Sequence, residues 1–225
     1  MKAVTFSYDD GVVQDIRLIE LLNKYELKCT FNLNSELLGK KGMLDVNGQR
    51  VAHYKVAAED VREIYEGHEV AVHTLTHPNL LKLDEEEIIR QIEQDRINLE
   101  KLVGYDIVGM AYPGGGNDDR VAEIIKNKTK IRYSRVVEGI KSFELQDNLY
   151  RFRPSMDHLA DFERITKRIN EFINLKPDKP QILYIWGHSY ELDAGDGWSK
   201  IEEIFKLISG YDNIFYGTNS EILLK

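Results

Sequence analysis

The chain has 225 residues, 42% hydrophobic and 10% aromatic, enough to bury one sizeable core, so a single domain over residues 1–225 is expected. Its 38 acidic against 30 basic residues give a formal charge of −8, which leaves no phosphate-neutralising excess and argues against nucleic acid as a partner. A lone cysteine, Cys29, excludes an internal disulfide and a cysteine-built zinc site, and no apolar run approaches the ~18 residues of a membrane span.

Strand-like and helix-like stretches then alternate from end to end. Residues 2–6 form a short β run. Residues 13–25 (VQDIRLIELLNKY) place Ile16, Ile19, Leu22 and Leu18, Leu21, Tyr25 at helical spacing. Residues 28–33 are β-like again, with Cys29 as a buried structural thiol. Residues 44–56 carry Asn47-Gly48 between alternating runs, the signature of a hairpin with a type I′ turn, read as an excursion bordering a site. Residues 57–66 form a helix closed by Gly67, and residues 69–72 (EVAV) a buried strand. The longest helix spans 84–103, with Asp84 as N-cap, acids in its first turn and Gly104 after its end. Strands follow at 107–112, 132–137 and 181–186, with helices near 118–126, 158–174 and 198–209. Residues 214–216 form a last strand before a terminal helix.

This alternation implies βα units around a mostly parallel sheet, an α/β fold. About seven such units suit a closed or nearly closed barrel better than an open sheet. Met1 runs almost at once into a strand, without a signal peptide. The expectation is a cytoplasmic protein, or an extracytoplasmic one if a leader has been trimmed.

In a parallel βα barrel, chemistry gathers just after the C-terminal ends of strands. Three polar clusters lie there. Asp9-Asp10 follows the first strand, His73-Thr74-Leu75-Thr76-His77-Pro78 follows EVAV, and His188 follows ILYIW and Gly187. Adjacent carboxylates repel and resist desolvation, so taken alone Asp9-Asp10-Gly11 reads as a solvated turn. An i, i+4 histidine pair stacks two imidazoles on one face of a turn, which suits two ligands of one metal ion. Two surface histidines would share that spacing, but these two, of six in the chain, follow a buried strand. Two histidines and one carboxylate give a divalent ion three ligands, leaving the other aspartate as a base toward the attacking water. The nearby cation also relieves the repulsion within the acid pair. His188, otherwise a structural histidine, becomes the natural general acid. The glycines of Pro113-Gly114-Gly115-Gly116 let backbone N–H groups approach an oxyanion. Tyr8, Tyr112, Tyr190 and Trp198 are candidates to stack on a sugar ring, with core packing as the alternative for each.

On these residues the sequence resembles the polysaccharide deacetylases of carbohydrate esterase family four, including chitooligosaccharide deacetylases. The family's T-F-D-D-G motif looks like Thr5-Phe6-Ser7-Tyr8-Asp9-Asp10-Gly11 with an insertion. Its H-[S/T]-x-x-H-P motif is met in full by HTLTHP, and its last motif is similar to Trp186-Gly187-His188. The resemblance implies a distorted (β/α)7-type barrel and a metal-dependent hydrolase that removes acetyl groups, chiefly N-acetyl, from a carbohydrate. It implies Asp9 as catalytic base, His188 as acid, and Asp10, His73 and His77 as ligands of one divalent ion. Zinc is the first expectation, with cobalt, nickel or manganese as alternatives. Tyr112 and Gly114 fall where substrate and oxyanion would lie. One departure stands out: the family's third motif begins with an Arg that orients the catalytic Asp, and here that position is Ala111. Arg153, in YRFRPSMD, is the candidate replacement, and Asp157 and Glu191 are candidates to tune His188. Two rival readings keep the fold. One is an allantoinase-like hydrolase of cyclic amides, and the other is a non-catalytic carbohydrate-binding module.

Overall fold

A computed structural model of the protein describes residues 1–224. Strand β1 (Lys2–Asp9) is buried along its whole length, as expected of a parallel strand covered on both faces. Helix α1 (Asp15–Lys24) packs Leu18, Ile19 and Leu22 inward and leads to β2 (Cys29–Leu33), where Cys29 is buried and free. The hairpin of β3 (Lys41–Val46) and β4 (Gln49–Tyr54) turns at Asn47 and Gly48, whose φ angles of 52° and 81° are those of the predicted tight turn.

The helix expected over 57–66 is a 3₁₀ turn followed by one α turn, α2 (Val61–Ile64). Then come β5 (Glu69–Val72) and α3 (Glu85–Val103), whose N-cap Asp84 accepts a bond from Glu87 N–H at 2.9 Å. After these follow β6 (Gly109–Ala111), α4 (Asp119–Lys128), β7 (Tyr133–Arg135) and β8 (Met156–Asp157). Helix α5 (Phe162–Asn174) starts four residues later than its apolar pattern suggests, because His158 N–H bonds Trp186 C=O at 2.8 Å and holds that stretch to the sheet. The chain ends with β9 (Gln181–Gly187), α6 (Gly197–Ile208), β10 (Ile214–Tyr216) and α7 (Asn219–Leu223).

The main sheet is parallel, in the order β7-β6-β5-β2-β1-β9-β8, with β10 paired to the start of β1. Its two ends curl toward each other. Residues 152–155 fill the gap, since Phe152 N–H bonds Ser134 C=O at 2.9 Å and Ser155 N–H bonds Tyr184 C=O at 2.8 Å. The result is the expected distorted (β/α) barrel. Helices cover its outside through stripes such as Ile165, Ile169 and Phe172 of α5, spaced for one helical face. No helix among the described residues is long and apolar enough to cross a membrane.

Candidate active site

Asp9 ends β1 and Asp10 follows at φ 86°, a left-handed conformation costly for any residue but glycine. Gly11 continues the bend at φ 60°, where a side chain would meet Leu33 Cγ at 2.9 Å. The bend separates the two carboxylates. Arg135, fully buried at the end of β7, donates through Nη2 to both Asp9 oxygens, and Asn32 Nδ2 donates to Oδ1 at 2.8 Å. Burial pushes the Asp9 carboxyl up, but Arg135, with His73 and His188, outweighs it and holds the group below its ordinary range. Asp10 is held by the hairpin. His53 Nε2 lies 3.1 Å from Oδ2, and Lys55 Nζ lies 3.0 Å from Oδ1 and donates to the Asp10 carbonyl at 2.6 Å. Against desolvation, His53 and Lys55 lower the Asp10 carboxyl well below its usual value.

The loop after β5 brings in the histidine pair. His73 Nδ1 sits 2.9 Å from the Ala111 carbonyl, which assigns the proton to Nδ1 and leaves the Nε2 lone pair free. Burial lowers His73 to about 4, so the ring is neutral, as a ligand must be. Thr74 and His77 take φ angles of 67° and 60°, and Asn34 Nδ2 ties the loop down by donating to Thr74 C=O at 2.8 Å. The His73 and His77 rings meet edge to face at 4.8 Å. One potential ligand atom each from Asp10, His73 and His77 lie within 4.8 Å of one another. Neutral imidazole, carboxylate and that spacing fit one divalent cation, and the remaining Asp10 lone pairs accommodate Lys55 and His53.

His188 follows β9. Its Nε2 lies 4.0 Å from Asp9 Oδ2, and His73 Nε2 lies 3.9 Å from the same oxygen. Behind His188 runs a relay. Its Nδ1 is 3.2 Å from Glu191 Oε2, that oxygen is 2.9 Å from His158 Nε2, and Tyr8 Oη is 3.0 Å from His158 Nδ1. Burial works against a charged His188, yet the bond to Glu191 and the charge of Asp9 raise it to about 9. Glu191, despite its own desolvation, is held at about 2 by His158 and His188. The relay needs Gly187, where any Cβ would come within 2.4 Å of the His158 ring.

The polysaccharide deacetylase family profile matches residues 1–133, more than half of the chain. The chain belongs to the polysaccharide deacetylase family. The peptidoglycan-N-acetylmuramic acid deacetylase PdaC of Bacillus subtilis is 28% identical over 127 residues, 56% of this chain but 24% of the relative, so the chain spans only part of that protein's length. A family 4 carbohydrate esterase from Streptomyces lividans, solved with acetate, superposes with a TM-score of 0.58 at 13% identity, covering 92% of this chain and 87% of that one. A family pseudoenzyme from Bacillus anthracis superposes equally well, at 0.58 and 18% identity over 99% of this chain and 65% of its own. At such identities these likenesses establish the fold.

The polysaccharide deacetylase site opens into a cavity of about 660 Å³ lined by Asp9, Asp10, His73, His77 and His188 together with Tyr112, Gly114 and Tyr190. Tyr112 and Gly114 both line this cavity, although Tyr112 is buried and its hydroxyl donates to the Tyr150 carbonyl at 2.9 Å. Two other aromatics named as candidates to stack on a sugar do not line the cavity. Tyr8 is buried in the relay, and Trp198 on α6 packs under Arg17 at 4.3 Å. Arg153 is also displaced from its expected role, since its guanidinium donates to the Gly139 and Glu138 carbonyls on the surface at 2.8 and 3.3 Å. Arg135 faces Asp9 instead. Of the two candidates to tune His188, Glu191 does so, while Asp157 Oδ1 accepts a bond from Leu159 N–H. The sequence reading passed over Arg135, His53, Lys55 and His158. For Arg135 a signal existed: a charged residue inside a buried strand requires a buried partner.

Proposed function

We propose that the chain is a metal-dependent hydrolase that removes acetyl groups, chiefly N-acetyl, from a carbohydrate. The observation that carries this reading is the convergence on Asp9 of the ligand-type cluster from one side and His188 from the other. Asp10, His73 and His77 are the metal ligands, zinc being the first expectation. When bound, a divalent cation polarises the acetyl carbonyl and acidifies water.

Asp9, oriented by Arg135 and Asn32, accepts a proton from the attacking water at Oδ2, the oxygen that faces His73 and His188. In this reading a backbone N–H near Gly114 donates to the developing oxyanion. His188, held as imidazolium by Glu191, donates its Nε2 proton to the departing nitrogen. The carbonyl carbon gains the water oxygen as the C–N bond breaks, giving acetate and a free amine. Amines leave poorly unprotonated, so His188 matters more for an amide than for an ester. Residues 1–225 act as one catalytic unit, since β1, β5 and β9 all contribute to the site. The relatives' names point to peptidoglycan among acetylated glycans.

The non-catalytic reading drew on the missing Arg at position 111, and Arg135 removes that support. The test is metal analysis together with acetate release from chitooligosaccharides, peptidoglycan fragments and acetylated xylan. Acetate release that requires the metal and is lost in Asp9→Asn is expected. Absence of release from every substrate by the metal-loaded protein would overturn the proposal, and ring opening of a cyclic amide instead would favour the allantoinase-like reading.

A further inference from the structure

A second cavity, of about 710 Å³, lies beside the catalytic one, and Val137 and Trp186 line both. The two cavities therefore adjoin at Val137 and Trp186. The charge of the second runs against that of the molecule. The chain carries eight more acidic than basic residues, yet Lys141, Arg164, Lys167 and Arg168 line this cavity against only Asp157 and Glu171.

These cations are short of partners. No hydrogen bond or ion pair engages the side chains of Lys141, Arg164 or Lys167 among the described residues. Arg164 and Arg168 sit one turn apart on α5, a like-charge i, i+4 pair that is mildly repulsive without an anion between them. Arg168 is the most constrained. Its guanidinium lies over the Phe143 ring at 4.2 Å, its Nη1 is 3.8 Å from Glu171, and its Nη2 is buried with no hydrogen-bond acceptor. Leaving a guanidinium N–H buried and unpaired is costly unless something supplies an oxygen. Stacking on Phe143 holds the guanidinium at the cavity wall, where its charge adds to that of Lys141, Arg164 and Lys167.

We propose that this groove binds the flanking part of an acetylated glycan whose sugars carry carboxylates, with the exposed Lys141, Arg164 and Lys167, backed by Arg168, engaging the carboxylate while the acetyl group lies at Asp9. This names the substrate class of the proposed deacetylase and rests on that reading. A phosphate-bearing glycan presents a related oxyanion and is separated from a carboxylate in the test.

The test uses the metal-loaded full chain and the triple variant Lys141→Gln/Arg164→Gln/Lys167→Gln, whose positions are exposed, so that folding is retained. The substrates are N-acetylated oligosaccharides of equal length: neutral, carboxylate-bearing and phosphate-bearing. The expected result is that the ratio of kcat/KM for the carboxylate-bearing over the neutral substrate falls at least tenfold in the variant. In the unmodified protein the same ratio falls as salt rises from 0.05 to about 0.5 M, because the ion pairs are screened. An equal ratio in both proteins overturns the proposal, and a ratio that falls only for the phosphate-bearing substrate reassigns the group and overturns the carboxylate. If the unmodified protein releases no acetate from any of them, the deacetylase reading fails. The groove is then judged by calorimetric binding of the same oligosaccharides, where indifference to their charge would overturn it as well.

Discussion

Replacing Glu191 by Gln removes one charge from the relay while keeping a side chain able to bond His188 and His158. His188 is raised from the ordinary 6.5 to about 9 against the effect of its burial, which favours the imidazolium by roughly 3 kcal/mol. Glu191 is the foremost favourable cause, with Asp9 and Asp10 supplying the rest. The neutral amide should therefore lower the alkaline limb of kcat/KM from near 9 by on the order of 1–2 pH units. At pH 8 turnover of an N-acetyl substrate should fall about two- to tenfold, as the protonated fraction of His188 falls, and that of an acetyl ester much less. The assay is acetate release from matched amide and ester substrates between pH 5 and about 10. An unmoved alkaline limb, or parallel losses on both substrates, would refute the assignment of His188 as the acid.

The same pair has a stability signature. His188, raised when folded, contributes stability in full below about 6.5 and loses it as pH climbs through about 9. Glu191, lowered to about 2 from 4.5, contributes in full above about 4.5 and loses it as pH falls. The gap in denaturation midpoint between the two proteins should therefore be widest between about pH 4.5 and 6.5 and shrink toward pH 9.

Arg135→Met breaks a buried ion pair, so it should cost about 3–5 kcal/mol in chemical denaturation. It should also move the acid limb of kcat/KM upward as Asp9 loses its chief favourable partner, with metal content unchanged. Arg153→Met, on the surface, should stay within about 0.5 kcal/mol and keep near-normal turnover. Zinc at a hundred times its Kd should stabilise the chelator-treated protein by about 2.7 kcal/mol in calorimetry, and Asp10→Asn or His77→Ala should abolish the gain. Lys55→Met leaves the buried Asp10 without its ammonium partner, so the metal-free protein should melt earlier and gain more from zinc than the unmodified protein does. An equal zinc gain in the two proteins would show that Lys55 does not balance the Asp10 charge.

What was legible in the sequence is what lies close along it. Apolar periodicity located the strands and helices, and HTLTHP brought His73 and His77 together because a single turn of loop holds them. The Asn47-Gly48 hairpin was legible for the same reason. The partners of these residues were not, because they come from far along the chain. Arg135 is 126 residues from Asp9, His158 is 150 from Tyr8, and His53 and Lys55 are 43 and 45 from Asp10. Such pairings are set by which strands lie side by side at one height of the barrel, and spacing along the sequence carries little of that. A rigid Pro154 and two arginines on a short strand-like run favoured Arg153, yet that segment bridges β7 to β9 with its backbone and leaves the side chain outside.

The displaced arginine follows from the register of the sheet. In β6 and β7 the residue opposite Ala111 is Arg135, both fully buried. In a parallel pair, residues in register project to the same face at the same height, so a guanidinium on either strand can reach the carboxylate at the end of β1. Ala111 is then small because the neighbouring strand fills its place, and its carbonyl remains free to fix the His73 tautomer. Moving the guanidinium back, in Arg135→Ala/Ala111→Arg, should recover at least tenfold in kcat over Arg135→Ala alone and return the acid limb toward its original position. The single variant leaves Asp9 buried without a cation, whereas the double variant restores the charge and roughly the volume at one level of the barrel. Matching thermal midpoints and metal contents for the two variants, with no recovery in the double one, would mean that Asp9 needs the particular approach of Arg135 from β7 rather than any guanidinium at that height.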